Sequence, residues 1–195
     1  MISQEQEYKD RFLWAVRELI SFAGDDPDRE GLKETPERVF KAYGELCSGY
    51  GKHPEDVFKT FEVGYRADEV VLLRDIPFAS VCEHHMLPFS GVAHVAYLPC
   101  VKDGVSKVVG VSKLVRLLEI FARRLQVQER ITCQMTGAMD KHLTPVGSAC
   151  VLEATHQCMT CRGVRTGGVM VTSSLTGAFK AKPEARAELF TLIRK

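Results

Sequence analysis

Apolar residues in the first fifty positions keep to a helical period. Phe12, Ala15, Val16, Leu19, Ile20 and Phe22 recur at mostly helical spacing in a run of helix formers from residue 4 to about 23, which predicts an amphipathic helix. Gly24-Asp25-Asp26-Pro27 ends it. A second helix is expected from Thr35-Pro36-Glu37 to about Cys47, closed by Ser48-Gly49-Tyr50-Gly51. Thr35 is a good N-cap, Pro36 suits the first helical position, and Glu37 complements the helix dipole. Residues 1–51 therefore read as a helical N-terminal region, and residues 52–195 as the main domain.

From about residue 60 the period shortens. Glu69 to Leu73 and Ile76 to Ser80 are strand-like, and Gly91 to Leu98 is a β-prone run stopped by Pro99. Cys100 to Lys107 reads as a loop or hairpin tip around Asp103-Gly104. Helical spacing returns near Ser112, where Leu114, Leu117, Leu118, Phe121 and Leu125 form a stripe, and again from Gln128 to His142. Ser148 to Met159 and Val169 to Leu175 are expected strands, and Pro183 opens a last helix ending at Arg194-Lys195. Short turns between successive strands imply antiparallel pairing. The expected class is α+β, with a helix pair packed on one face of an antiparallel sheet.

Composition narrows the function more than the fold. The 26 basic and 25 acidic residues leave a net charge of +1, so nothing pushes the whole chain toward nucleic acid or an anionic membrane. No apolar run approaches the roughly 20 residues a bilayer span needs. The start, Met1-Ile2-Ser3-Gln4-Glu5-Gln6-Glu7, is polar and acidic, unlike a signal peptide. Seven cysteines without a secretory signal point to a reducing, cytoplasmic setting, where clustered thiols more often hold metal than form disulfides. Cys47, Cys100, Cys133 and Cys150 lack metal-like neighbours and read as small hydrophobes or incidental thiols.

The chemistry concentrates in Cys82-Glu83-His84-His85 and in His156-Gln157-Cys158. Cys82 and His85 have the C-x-x-H spacing that lets two side chains converge on one metal ion. If residues 156–158 continue a strand, His156 and Cys158 share a face. Cys82, His85 and Cys158 would then form a three-ligand site with an open fourth position, the catalytic arrangement, with His84 and His156 free to carry protons. The same residues permit a closed, structural site, because Cys158-Met159-Thr160-Cys161 is a C-x-x-C pair. The open site depends on Cys158 and Cys161 facing opposite sides of a regular strand, and a turn there reverses that reasoning. Unligated cysteines and histidines in an ordinary fold are the remaining reading.

Two further stretches carry weaker signals. In Gly110-Val111-Ser112-Lys113-Leu114-Val115-Arg116, Ser112 and Lys113 fall at a helix N-terminus, where free N–H groups favour an anion, and Arg116 reaches the same side. The plainer alternative is Ser112 as an N-cap with solvated Lys113 and Arg116. Gln128 and Glu129 stand at a helix start where they could face a purine edge, although taken alone exposed helix polarity is the better explanation. Arg162, and with less support Arg165, are further phosphate candidates.

Taken together and in order, Cys82-Glu83-His84-His85, Gly110-Val111-Ser112-Lys113-Leu114, Gln126-Val127-Gln128-Glu129-Arg130 and His156-Gln157-Cys158 with Arg162-Gly163 resemble the GTP cyclohydrolase I family. Gly31 to Val39 and Leu175-Thr176-Gly177-Ala178-Phe179 also resemble it, so the likeness runs from about residue 8 to the end. The resemblance implies a tunnelling fold and zinc-dependent hydrolysis of GTP to 7,8-dihydroneopterin 3′-triphosphate and formate, the first step of pterin and tetrahydrofolate biosynthesis. It implies Cys82, His85 and Cys158 as zinc ligands, His156 as proton donor at the purine, and His84 assisting at the ribose. Ser112 joins the two histidines at the catalytic centre. Glu129 supported by Gln128 would hold guanine, and Ser112, Lys113, Arg116 and Arg162 the triphosphate. A homodecamer of two facing pentameric rings, with active sites between subunits, is implied too. The family does not use the Cys161 position as a ligand, and its usual loop before Gly110 is shorter. A non-catalytic ring-forming zinc protein that binds a purine or pterin is the alternative, opposed by the intact His84, His156 and Glu129. A nitrile reductase of the same fold, with a nucleophilic cysteine and nicotinamide, fits Cys-Glu-His-His poorly.

Overall fold

The computed structural model describes residues 4–194. Met1 to Ser3, within the acidic start, and Lys195, the expected basic end, lie outside the described residues. The chain forms two compact units that divide between Cys47 and Ser48.

The first unit is a pair of helices, α1 (Gln4–Phe22) and α2 (Thr35–Leu46). Phe12 of α1 meets Phe40 of α2 edge-on, with ring centroids 5.3 Å apart, and Lys9 pairs with Glu37 at 2.8 Å. Thr35 is not the N-cap. Glu34 holds that place with helical dihedrals and no side-chain cap, and its carbonyl accepts the Arg38 N–H at 3.1 Å. The helix therefore starts one residue earlier than Thr35 predicts, and Pro36 falls within its first turn, where a missing N–H costs nothing.

The second unit opens with a short helix, α3 (Pro54–Val57), and is built on a five-stranded sheet. Its strands are β2 (Val71–Cys82), β3 (Pro88–Leu98), β6 (Leu125–Gln126), β7 (Gly147–His156) and β8 (Met170–Leu175), in the order β6-β2-β3-β7-β8. Pairing is antiparallel from β2 to β8, whereas β6 lies parallel to β2, with Cys82 beside Gln126. The two strand-like segments around residue 75 are one strand, interrupted where the register shifts between Leu73 and Ile76. Asp75 sits in this bulge with φ 57°, in the left-handed region. A separate three-stranded sheet, β1 (Thr60–Glu62), β4 (Val101–Lys102) and β5 (Val105–Val109), pairs in the order β1-β5-β4. The expected tip, Asp103-Gly104, joins β4 to β5 with φ positive at both residues, the signature of a two-residue hairpin turn.

Helices α4 (Val111–Ala122) and α5 (Gln128–Leu143) cover one face of the larger sheet. Their stripes, Leu114, Leu117, Leu118 and Phe121 on α4 and Ile131, Met135, Met139 and Leu143 on α5, pack against Phe78, Phe89, Val95 and Leu152. Burying one such side chain is worth about 1.5–3 kcal/mol, so this core fixes where β2, β3 and β7 end. On the other side, Phe179 of α7 (Gly177–Ala181) and Leu189 of α8 (Pro183–Arg194) close over Ala96 and Ala149. This α+β arrangement, an antiparallel sheet with a helix pair on one face, is that of the tunnelling fold. Among the described residues no helix is long and apolar enough to cross a membrane.

Candidate active site

Strand β2 delivers Cys82 at its last position, and β3 restarts at Pro88. Between them the chain curls tightly. The Cys82 N–H donates to the Leu87 carbonyl and the Met86 N–H to the Cys82 carbonyl, both at 2.8 Å. Met86 takes the left-handed conformation, φ 55°, that this curl demands. Residues three apart are thereby folded back on each other, and Cys82 Sγ lies 3.7 Å from His85 Nδ1.

The other half arrives on β7. The β3–β7 register sets Phe89 opposite His156, so the end of β7 lies beside the start of β3. Gly91 makes this approach possible: a Cβ there would meet the Glu153 carbonyl oxygen at 1.8 Å. The strand does not run on to Met159. It ends at His156, and Gln157–Thr160 form a single helical turn, α6. A shared strand face therefore does not bring Cys158 to the site; the turn does. It swings Cys158 over the Cys82–His85 curl, and the ligand atoms of Cys82, His85 and Cys158 all lie within 4.8 Å of one another.

Two sulfurs and an imidazole nitrogen form a donor set that suits Zn²⁺. Donors around one tetrahedral zinc stand about 3.6–3.8 Å apart, from Zn–S near 2.3 Å and Zn–N near 2.0 Å, so the group needs little contraction to close on an ion. Burial pushes the Cys158 thiol up, the neighbouring Cys82 sulfur pushes it further, and Arg162 opposes both. A divalent cation between the sulfurs removes that penalty. Cys161 does not join the group: its Sγ is exposed and donates to the Gln157 carbonyl at 2.9 Å.

His156 is held from two sides. Its ring stacks on Phe89 with centroids 4.5 Å apart and planes 5° from parallel. Its Nε2 lies 2.8 Å from Gln128 Oε1. The buried Gln128 amide donates both its protons, to the Leu152 and Met170 carbonyls at 3.0 Å each. Its oxygen can therefore only accept, so His156 carries a proton on Nε2 and presents Nδ1 as its exchangeable position. Burial lowers the His156 pKa, against a weaker upward pull from Glu129, which favours the neutral ring at pH 7.

Over residues 13–194 the chain matches the family model described as GTP cyclohydrolase I. It belongs to that family. The GTP cyclohydrolase 1 of Brucella canis is 52% identical over 182 residues, covering 92% of this chain and 83% of that protein. The GTP cyclohydrolase 1 of Sinorhizobium fredii is 50% identical over the same length, 92% of this chain and 86% of its own. A solved structure, the archaeosine synthase QueF-Like in apo form, overlays 56% of this chain and 96% of its own at a TM-score of 0.43 and 14% identity, a likeness too weak to carry an argument.

The remaining motif residues of this GTP cyclohydrolase I family member fall into two groups. Arg162 joins the cluster: its Nη1 donates to the Cys158 carbonyl at 3.2 Å and lies 3.4 Å from His85 Nε2. His84 is exposed in the curl, 3.8 Å from Glu83. Glu129 is exposed at the start of α5, one residue beyond buried Gln128. Ser112, Lys113 and Arg116 stand apart on the first turns of α4. Their side chains make no hydrogen bond or ion pair among the described residues. Ser112 is not the N-cap, because Gly110 occupies that position with extended dihedrals. Its hydroxyl is free for other work. Phe89 and Arg130 are site residues that spacing alone does not single out. Phe89 is marked only by the non-local β3–β7 register, and Arg130 only by its reach to Glu83.

Proposed function

We propose that this protein is a zinc-dependent GTP cyclohydrolase I. It hydrolyses GTP to 7,8-dihydroneopterin 3′-triphosphate and formate at the head of pterin and tetrahydrofolate biosynthesis. The observation that carries the reading is the meeting of Cys82, His85 and Cys158 beside an imidazole, His156, whose protonation pattern is set by Gln128. Family membership supplies the substrate, GTP.

Zn²⁺ held by Cys82, His85 and Cys158 would supply Lewis-acid polarisation and water activation near neutral pH. The protein's own groups do the rest. Glu129, exposed beside His156 and backed by Gln128, accepts the guanine N–H groups. His156 moves a proton at Nδ1 to and from the purine imidazole ring. Its lowered basicity makes the protonated ring a stronger acid, which eases delivery. Exposed His84 serves the ribose side, and Ser112 offers its hydroxyl at the α4 N-terminus. Lys113, Arg116 and the free N–H groups of that helix turn meet the triphosphate. Arg162 adds to them, since its bond to His85 lapses whenever Nε2 is protonated and its guanidinium can then swing to an anion. The catalytic domain is residues 52–195, preceded by a helical region over residues 1–51. The enzyme works in the cytoplasm as a homodecamer with active sites shared between subunits, which accounts for α4 cations that find no partner among the described residues of their own chain.

Incubating the purified protein with GTP, oxidising, and measuring pterin fluorescence tests the reading. Zinc-dependent fluorescence together with released formate is expected. Binding of GTP without either product would leave a non-catalytic purine or pterin binder. Sedimentation of the intact protein as a species near ten chains is the companion result.

A further inference from the structure

The curl that carries Cys82, His84 and His85 is fastened to α5 by a contact that the reaction itself does not call for. Arg130, in the first turn of α5, grips the Glu83 carboxylate with both terminal nitrogens, Nη1 to Oε2 and Nη2 to Oε1, the second at 3.0 Å. A two-point guanidinium–carboxylate contact fixes orientation as well as distance. The Glu83 backbone is fastened at the same place: its N–H donates to the Gln126 carbonyl at 3.0 Å. Gln126, 2% exposed, is itself anchored. Its amide nitrogen donates to the Phe121 carbonyl at 3.0 Å and to Gln134 Oε1 at 2.7 Å, and its oxygen lies 3.4 Å from Arg130 Nη1. Glu83 Oε1, which accepts from Arg130 Nη2, also lies 3.8 Å from His84 Nε2.

From this we infer that Glu83 and Arg130 are positioning residues that hold the Cys82–His85 curl in its metal-ready shape, pinning it to the helix start that bears Gln128 and Glu129. The curl contains a left-handed Met86 and has His84, His85 and Met86 exposed, so the brace adds a two-point side-chain tie to the backbone bonds that close the curl and join Glu83 to Gln126. Without the brace, Cys82 and His85 would spend time apart, and ordering them would be charged to metal binding. Supports of this kind commonly change metal affinity 10–100-fold, about the range expected here.

The inference rests on the proposed metal site, and its test separates the two. Zn²⁺ affinity is measured on the metal-free full-length protein, without GTP, by competition with a chromogenic chelator, alongside thermal unfolding of the metal-free form. Glu83→Gln and Arg130→Met should each weaken Zn²⁺ binding about 10–100-fold. The double variant should do little worse than either alone, and the exchanged pair Glu83→Arg with Arg130→Glu should recover some of the loss. Affinities within twofold of the parent for both single variants overturn the brace, as does a loss of thermal stability unaccompanied by any change in affinity. Arg130→Lys, which keeps the charge but not the two-point grip, should give an intermediate loss and serves if Arg130→Met does not fold. Cys158→Ala is the control: if it binds Zn²⁺ as the parent does, the metal site itself is wrong, whereas lost binding there with unchanged Glu83→Gln condemns only the brace.

Discussion

The curl at the end of β2 and the first turn of α4 bring the proposed chemistry to the substrate from opposite states of preparation. In the curl, Cys82 faces His85, His85 faces Arg162, and Glu83 is gripped by Arg130. On α4, Ser112, Lys113 and Arg116 find no side-chain partner among the described residues. A metal site must exist before its ion arrives, because ligand geometry sets which ion binds and how it is polarised. A phosphate cradle has a different requirement. Cations already neutralised by local carboxylates would have to give up those partners to take an anion, so leaving them solvated keeps the exchange cheap.

The sharpest way to break that contrast is to remove the third donor. Cys158→Ala should strip zinc and abolish turnover of GTP, a loss of at least about a thousandfold, with zinc content read by metal analysis and turnover by pterin fluorescence. Full activity in a metal-free Cys158→Ala protein would eliminate the site.

His156 and Gln128 test the prepared side more finely. His156→Ala should lower kcat by about 10²–10⁴, the usual worth of a placed proton-transfer group, while zinc binding persists. Gln128→Leu should lower kcat too, and it should also unfold more easily, because it strands the Leu152 and Met170 carbonyls at about 1–3 kcal/mol each. The pH dependence follows from the lowered His156 pKa. A histidine that prefers to be neutral when folded contributes stability that is present above the ordinary imidazole pKa of about 6.5 and lost as pH falls through the folded value. Gln128→Leu sets an apolar side chain against the ring in place of its hydrogen-bond acceptor, so the acid loss of stability from this group should grow. An unchanged acid limb in urea melts of the metal-free proteins would detach Gln128 from His156.

On the unprepared side the effects should be smaller and salt-sensitive. Lys113→Ala and Arg116→Ala should each raise KM for GTP about tenfold, more at low ionic strength, with the melting temperature held to within about a degree. A change in stability instead of KM would mean that these cations serve the fold.

The same contrast explains what is legible in the chain alone. Helical stripes such as Leu114–Leu117–Leu118–Phe121 are local periodicities, and they predict the helix pair. The β3–β7 register that stacks Phe89 on His156 is a contact between residues 67 positions apart, and no local pattern encodes it. The end of β7 escapes sequence reasoning for a related cause. Thr155-His156-Gln157-Cys158 alternates like a strand, yet Gln157 starts a turn closed by the Cys161 N–H on its carbonyl at 3.0 Å, with Thr160 Oγ1 on the Gln157 side chain at 2.9 Å. The three-donor group thus follows from a turn where the spacing predicts a strand.

That difference makes Cys161 the most discriminating of the small-effect positions. On a strand, Cys158 and Cys161 would diverge. They sit instead in one helical turn, where residues three apart share a side and a closed four-ligand site becomes sterically natural. What keeps Cys161 out is its own thiol, which turns back to donate to the Gln157 carbonyl and leaves the sulfur in solvent. Cys161→Ala removes only this exposed bond, whose carbonyl water can satisfy, so stability should change by no more than about 0.5 kcal/mol. Zinc content should stay at the parent value and GTP turnover within twofold. Loss of the bound zinc from Cys161→Ala would show that the thiol rotates inward once metal is present, closing the open position that hydrolysis needs and turning the prepared half of the molecule into a structural clasp.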